Sequence, residues 1–112
     1  MRASSGTVLK ERASVFAALG DVTRLSVLTK LMSGEPQSIS RLTAGTRLSR
    51  QAVTKHLRVL EDVGVVRGER SGREALFRLE RGPIDDARKY LDTVSKQWDE
   101  ALERLRSFVE ES

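Results

Sequence analysis

The sequence predicts one mainly α-helical domain with a small β-hairpin, in the element order α-α-α-α-β-β-α. Three observations support this. Apolar residues recur at helical spacing in the segments before residue 64, and β-forming residues alternate with arginines in the stretch 65–79. A seven-residue apolar repeat then fills the final segment. With 112 residues the chain has the length of a single domain with one modest core.

The first two helices are predicted from short apolar patterns and their boundaries. Residues 1–7 are small and polar and are predicted to form a disordered tail. A first helix should run from about Leu9 to Leu19, where Gly20 ends it. Asp21 suits the N-cap of a second helix, because its carboxylate can accept from the free amides of the first turn. The apolar face predicted for that second helix comprises Leu25, Leu28, Leu31 and Met32.

Two further helices are predicted on either side of a tight turn. The third should begin near Ser38 and end around Gly45. Ser49 is placed to cap a fourth helix that reaches about Val63, and Gly64 ends it. Two helices joined by so short a connection form the helix-turn-helix layout.

The stretch 65–79 predicts a β-hairpin whose turn lies at Ser71-Gly72. Arginines are distributed along it, and Arg70 and Arg73 flank the tip. Arginine on a protruding tip can contact phosphates or enter a narrow minor groove. The alternative is that these charges only keep an exposed strand edge soluble.

The last helix is predicted to open at Gly82-Pro83 and to run for about 26 residues, or roughly 39 Å. Its apolar positions repeat every seven residues, which is typical of a coiled-coil seam. Because the rest of the domain is too small to cover this seam, we expect it to meet a second copy of the chain. The alternative is a helix packed wholly on its own subunit. The predicted dimer interface comprises Phe16, Ile84, Leu91, Val94, Trp98, Leu102 and Leu105.

The fourth helix has two chemically distinct faces. Val53, Leu57 and Leu60 fall at i, i+4 and i+7 and should face the core. The opposite face has the side chains that read base edges and neutralise phosphates in a major groove. A solvated helix face is the alternative, and the position directly after a tight turn, in the most basic part of the chain, favours DNA binding. The predicted DNA-binding residues are Ser49, Arg50, Gln51, Thr54, Lys55, Arg58, Arg70 and Arg73.

Charge and composition narrow the function further. Residues 41–81 carry a net charge of +5 and residues 82–112 a net charge of −3, as expected for a nucleic-acid face beside a face that avoids DNA. Glu61 and Asp62, at the far end of the fourth helix, are expected to lie away from DNA. The chain has no cysteine and one histidine, which removes thiolate chemistry and multi-histidine metal sites within one subunit.

No enzyme is predicted, since no nucleophile and base or metal cluster occurs at a usable spacing. We interpret His56 as a residue that hydrogen-bonds nearby backbone or a DNA phosphate, and Trp98 as a core or seam residue. No apolar run approaches the roughly 20 residues that span a bilayer, and there is no secretion signal, so no membrane contact and a cytoplasmic location are predicted.

The runs AALGDVTRLSVLTKL (17–31) and SRQAVTKHLRVLEDVGVVRGERSGREALFRL (49–79) resemble the ArsR/SmtB family of bacterial winged helix-turn-helix repressors. The resemblance spans about residues 13–110. It implies a dimer formed by the first and last helices, DNA binding by the fourth helix and the hairpin wing, and release on a signal. The predicted domain layout is therefore a DNA-binding unit over 8–81 and a dimerisation helix over 82–112, both within one domain.

Many members of that family sense metals, and this chain departs from both of their usual sites. The third helix reads Ser40-Arg41-Leu42-Thr43, without the family's cysteine pair. The last helix has Asp85 and Asp86 but no histidine, so these two residues are interpreted as helix-start residues. The chain resembles a branch without the cysteine metal site, and no cofactor is predicted.

The protein is predicted to be a homodimeric, sequence-specific repressor of an inverted-repeat operator. Its predicted partners are double-stranded DNA and a second copy of the chain, and binding of an unidentified small-molecule effector is left open. The alternative is a winged-helix interaction module that does not read DNA.

Overall fold

The computed structural model describes residues 5–111, and these form five helices and three strands. In chain order the elements are α1 (Ser5–Leu19), α2 (Val22–Leu31), β1 (Gln37–Ser38), α3 (Ile39–Thr43), α4 (Arg50–Asp62), β2 (Val66–Ser71), β3 (Glu74–Leu79) and α5 (Arg81–Glu110). The mainly helical class with a hairpin and a long last helix is confirmed, and one short strand is added to the predicted order.

The helix α1 begins earlier than the sequence pattern predicted. Residues 5–7, expected to belong to a disordered tail, form its first turn, while residues 1–4 lie outside the described part of the chain. No proline or internal glycine stops the helix between Thr7 and Leu19, so small polar residues can join its N-terminal end. At the other end, the Gly20 N–H donates to the Ala17 carbonyl oxygen at 3.3 Å.

One core holds the helices and the sheet together. Its fully buried larger side chains come from α2, α3, α4 and the start of the hairpin, and they are Leu31, Leu42, Val53, Leu57, Leu60, Val65 and Val66. The predicted apolar face of α2 is partly wrong, because Leu25 and Met32 are 49% and 72% exposed while Val27 is buried. The buried side of α2 is centred on Val27, Leu28 and Leu31, so the side chains of Leu25 and Met32 lie at its margin and face solvent.

The three strands form an antiparallel sheet in the order β1-β3-β2. The short strand β1 pairs Gln37 with Phe77 and Ser38 with Leu76, which joins the start of α3 to the hairpin. Two residues are too few to produce an alternating pattern, which explains why β1 was not predicted.

The hairpin turn lies one residue later than predicted. Ser71 pairs with Glu74, so the two-residue loop is Gly72-Arg73. Gly72 has φ 63°, in the left-handed region that glycine adopts without strain.

The helix α5 has 30 residues, about 45 Å at 1.5 Å per residue. Pro83 lies in its first turn, where a missing N–H is tolerated. Ala87 is buried and Ile84 packs against the core, whereas residues 91–100 are exposed. The helix therefore extends past the other elements, and the whole molecule measures 69 Å along its longest axis. None of the described helices is both long and apolar enough to cross a membrane.

Candidate nucleic-acid interface

The position of α4 is determined by one fully buried face. Val53, Leu57 and Leu60 have no exposed surface, as the sequence periodicity predicted. At their spacing these side chains lie on one side of the helix and leave the other side to solvent. The exposed side of α4 is consequently held rigidly by the core.

The connection between α3 and α4 is stabilised by side-chain hydrogen bonds. Ser38 caps α3 by accepting from the Arg41 N–H at 3.2 Å, and Ser49 caps α4 by accepting from the Ala52 N–H at 3.1 Å. Between them, the Thr46 hydroxyl donates to the Thr43 carbonyl oxygen at 2.6 Å. These hydrogen bonds therefore help to fix the direction in which α4 leaves the turn.

The predicted DNA-binding residues of α4 share one exposed surface. Arg50, Gln51, Lys55 and Arg58 are exposed, and Thr54 is half-buried. The Thr54 hydroxyl donates to the Arg50 carbonyl oxygen at 2.7 Å, which leaves its methyl group as the contact surface. Guanidinium, amide, ammonium and methyl groups on one helix face can contact guanine, adenine, phosphate and thymine.

The wing has exposed basic side chains at its tip. Arg73 lies in the two-residue loop, and Arg70 lies at the end of β2 opposite Ala75. Both are exposed. Arg78, further back on β3, instead lies 3.6 Å from a carboxylate oxygen of Glu80. Arg70 and Arg73 thus place two exposed positive charges at or near the tip of the wing.

A cleft of about 320 Å³ separates α4 from the wing. Arg58 lines it from the helix and Arg70 from the hairpin, and Phe77 contributes to its apolar lining. Glu61, expected from the sequence to lie away from DNA, also lines this cleft. Its Oε2 accepts from the Gly68 N–H at 3.1 Å, so the helix and the wing are directly bonded.

A polar network that sequence reasoning missed ties α4 to the first two helices. The Arg24 guanidinium donates to the Ala18 carbonyl oxygen at 2.6 Å and lies 3.5 Å from His56 Nδ1. Asp21 caps α2 by accepting from the Arg24 N–H at 2.9 Å, and its carboxylate is 3.9 Å from His56 Nδ1. The run 17–31, which supports the family resemblance, contains the motif Leu19-Gly20-Asp21-x-Thr23-Arg24. This motif is the sequence pattern from which the network could have been predicted.

The electrostatics of this network favour an ionised Asp21. The hydrogen bond from the Arg24 backbone N–H lowers the pKa of the Asp21 carboxyl, and the nearby Arg24 guanidinium lowers it further. His56 is half-buried within the network, and its Nδ1 faces the side chains of Arg24 and Asp21 instead of the backbone or DNA phosphate expected from the sequence. Among residues 5–111, no three His, Asp or Glu side chains form a group suited to a metal ion.

The residues predicted for the dimer interface fall into two groups. Phe16 and Ile84 are half-buried against their own core, and the Phe16 ring lies 6.1 Å from the Tyr90 ring, centroid to centroid. The other five are between 43% and 66% exposed along one side of α5, and they are Leu91, Val94, Trp98, Leu102 and Leu105. We refer to these five residues as the α5 seam.

Comparison with known proteins agrees with this architecture. A family model described as a helix-turn-helix domain matches residues 10–69. The HTH-type transcriptional repressor SmtB of Mycobacterium tuberculosis is 30% identical over 95 residues, which cover 85% of this chain and 68% of the repressor.

Two solved structures extend the similarity to most of the fold. An ArsR-like transcriptional regulator from Rhodococcus sp. RHA1 is 36% identical with a TM-score of 0.80, over 91% of this chain and 95% of that one. A homodimeric winged helix-turn-helix DNA-binding domain from Mycobacterium bovis is 25% identical with a TM-score of 0.65, over 93% and 95%. The chain therefore belongs to the ArsR/SmtB-type family of winged helix-turn-helix transcriptional regulators, which bind DNA and are not enzymes.

Proposed function

We propose that this chain is a homodimeric repressor that reads an inverted-repeat operator. The observation that carries the proposal is the division of α4 into a fully buried apolar face and an exposed face with Arg50, Gln51, Lys55 and Arg58. A helix held rigidly on one side and chemically suited to base edges on the other has the properties of a recognition helix.

The homodimer is supported by the α5 seam. Five apolar side chains on one side of a helix form a continuous exposed apolar surface, and such contiguous patches commonly mark protein–protein contacts. Each of them gains free energy when it is removed from water, and a second copy of the same helix offers a matching surface. The similar domain from Mycobacterium bovis is a homodimer.

In the proposed complex the helix and the wing contribute differently. The exposed face of α4 reads base edges in the major groove, and Ser49 and Lys55 contact phosphates. Arg70 and Arg73 add affinity that depends on salt, because each phosphate contact releases counterions. A two-fold dimer places two recognition helices in successive major grooves, about 34 Å apart.

Selection of the purified protein against a random duplex library at near-physiological salt tests this function. Enrichment of an inverted repeat with half-sites about one helical turn apart supports the proposal. A folded, dimeric protein that enriches no sequence contradicts it and favours the winged-helix interaction module.

Repression is tested separately, by placing the selected operator over a reporter promoter. Co-expression of the protein should lower reporter output, and a rise in output would indicate an activator. Release on a signal, which the family resemblance implies, stays a prediction, and so does an unidentified small-molecule effector.

A further inference from the structure

The contact between Glu61 and the wing lies at an edge of the sheet that no strand covers. In the order β1-β3-β2, one edge of β2 faces away from β3. The Gly68 N–H donates to Glu61 Oε2 at 3.1 Å, so a carboxylate from α4 satisfies a donor on β2. Glu61 follows Leu60, which is fully buried, so the carboxylate comes from a well-anchored part of the helix.

The packing around Gly68 is close on two sides. A Cβ atom at position 68 would lie 2.9 Å from Glu61 Oε2 and 3.0 Å from Cε1 of the Phe77 ring. Both distances are shorter than normal van der Waals contacts of a Cβ atom. Glycine therefore leaves room at position 68 for both the Glu61 carboxylate and the Phe77 ring, and a larger residue there would have to displace one of them.

We propose that Glu61 is a positioning residue for DNA binding: by accepting from the Gly68 N–H it holds the wing at a fixed distance from α4. The inference rests on the proposed function of α4 and the wing. With the wing held, Arg58 on one wall of the cleft and Arg70 on the other keep a defined separation. The wing is then already ordered before DNA binds, so binding does not have to overcome the entropy cost of ordering it.

When Glu61 is removed, the positioning role predicts a change in DNA affinity opposite in sign to the change expected from charge alone. A carboxylate beside a DNA-binding surface repels phosphates, so its removal should strengthen binding if repulsion is its only effect. If Glu61 positions the wing, removal of its acceptor should weaken binding although a negative charge is lost. The two effects separate in Glu61→Gln, which loses the charge but keeps an oxygen acceptor.

The experiment measures the affinity of the full chain for its selected operator in three variants. We expect Glu61→Ala to bind about three- to tenfold more weakly than the unsubstituted protein. Glu61→Gln should bind at least as tightly as the unsubstituted protein. Asp62→Ala is the matched control, since it removes an adjacent exposed carboxylate for which no contact with the wing is seen. Equal or tighter binding by Glu61→Ala overturns the proposal.

A double-mutant cycle with the wing arginines tests whether the effect passes through the wing. In the Arg70→Ala/Arg73→Ala background, the loss caused by Glu61→Ala should largely disappear, because a displaced wing then has no tip arginines to misplace. A loss that persists at full size overturns the positioning role. Thermal unfolding of each variant checks that the fold is retained.

Amide exchange at Gly68 reports the contact itself without DNA. This amide should exchange slowly in the unsubstituted protein and faster in Glu61→Ala, and equal rates would overturn the proposed contact. If the unsubstituted protein binds no DNA, the proposed function fails, whereas the exchange result still tests the link between helix and wing.

Discussion

Leu57 lies on the side of α4 opposite the predicted DNA-binding side chains, yet it determines where they point. It is fully buried, together with Val53 and Leu60. Any change in its volume therefore alters the seating of the helix on the core. At the scale of single residues, the buried side chains of α4 therefore determine the orientation of the exposed ones.

Leu57→Ala should lower the free energy of unfolding by about 2 to 5 kcal/mol, because it removes buried methyl groups and leaves a cavity. Urea unfolding followed by circular dichroism measures this loss. Val59→Ala, at a position of the same helix that is 38% exposed, should lower it much less. Similar losses in the two variants would contradict the assigned orientation of α4.

Asp21 should make stability depend on pH in the acid range. Its folded-state pKa is lowered, chiefly by the Arg24 N–H, so its contribution is present above the unfolded pKa of about 4 and is lost as pH falls through the folded pKa. In Asp21→Asn the amide oxygen can still cap α2, but the charge is absent. The stability difference between the two proteins should therefore be larger at about pH 6 than at about pH 3. A difference independent of pH would contradict this role of the ionised carboxylate.

Several residue positions could be predicted from the sequence because a single periodicity determined them. Val53, Leu57 and Leu60 follow one helical repeat, and the core confirms all three. Leu25 and Met32 were misplaced because the second helix has apolar residues on more than one side. Glu61 could not have been assigned to the wing, since its contact with Gly68 depends on how closely two elements approach.

At the scale of elements, the sequence predicted the bounds of α4 more closely than the position of the hairpin loop. The buried face and the serine cap predicted α4 closely. The hairpin was predicted, but its loop is displaced by one residue because Ser71 pairs with Glu74. The strand β1 could not be predicted, since its two residues are strand-like only through pairing with Phe77 and Leu76.

Arg70→Ala/Arg73→Ala should weaken binding to the operator and reduce its dependence on salt. Loss of two phosphate contacts lowers the slope of log K against log salt by about 2. Lys96→Ala/Arg104→Ala, which removes two positive charges from the side of α5 away from the α5 seam, is the control and should leave the slope nearly unchanged. Equal slopes for the wing variant and the unsubstituted protein would contradict the wing contacts.

At the scale of the whole molecule, α5 has an exposed apolar side that its own chain does not cover. Its first turns pack on the core through Ile84 and Ala87, and the α5 seam then continues along a helix that leaves the domain. The seven-residue repeat predicted this continuous apolar side. Sequence periodicity could not reveal that Phe16 packs against Tyr90 of the same chain.

Trp98→Glu should convert the proposed dimer into a folded monomer, because it places a charge at the 66% exposed centre of the α5 seam. Sedimentation equilibrium should show about half the mass, and operator affinity should fall by about 10²-fold or more as the second half-site contact is lost. Lys96→Glu, on the opposite side of α5, should remain dimeric. A dimeric Trp98→Glu protein would contradict the assignment of the seam.

A single residue, Glu80, separates the end of β3 from the start of α5. Its N–H donates to the Val65 carbonyl oxygen at 2.9 Å, so the junction is tied to the base of the hairpin and has no slack. In a dimer held by α5, this short junction limits how far the bases of the two wings can move apart, and an operator of another length must bend or twist to fit. Insertion of glycines between Leu79 and Arg81 should give a regulator that accepts operators with different half-site spacings. The same variant should bind its own operator more weakly than the unsubstituted protein does.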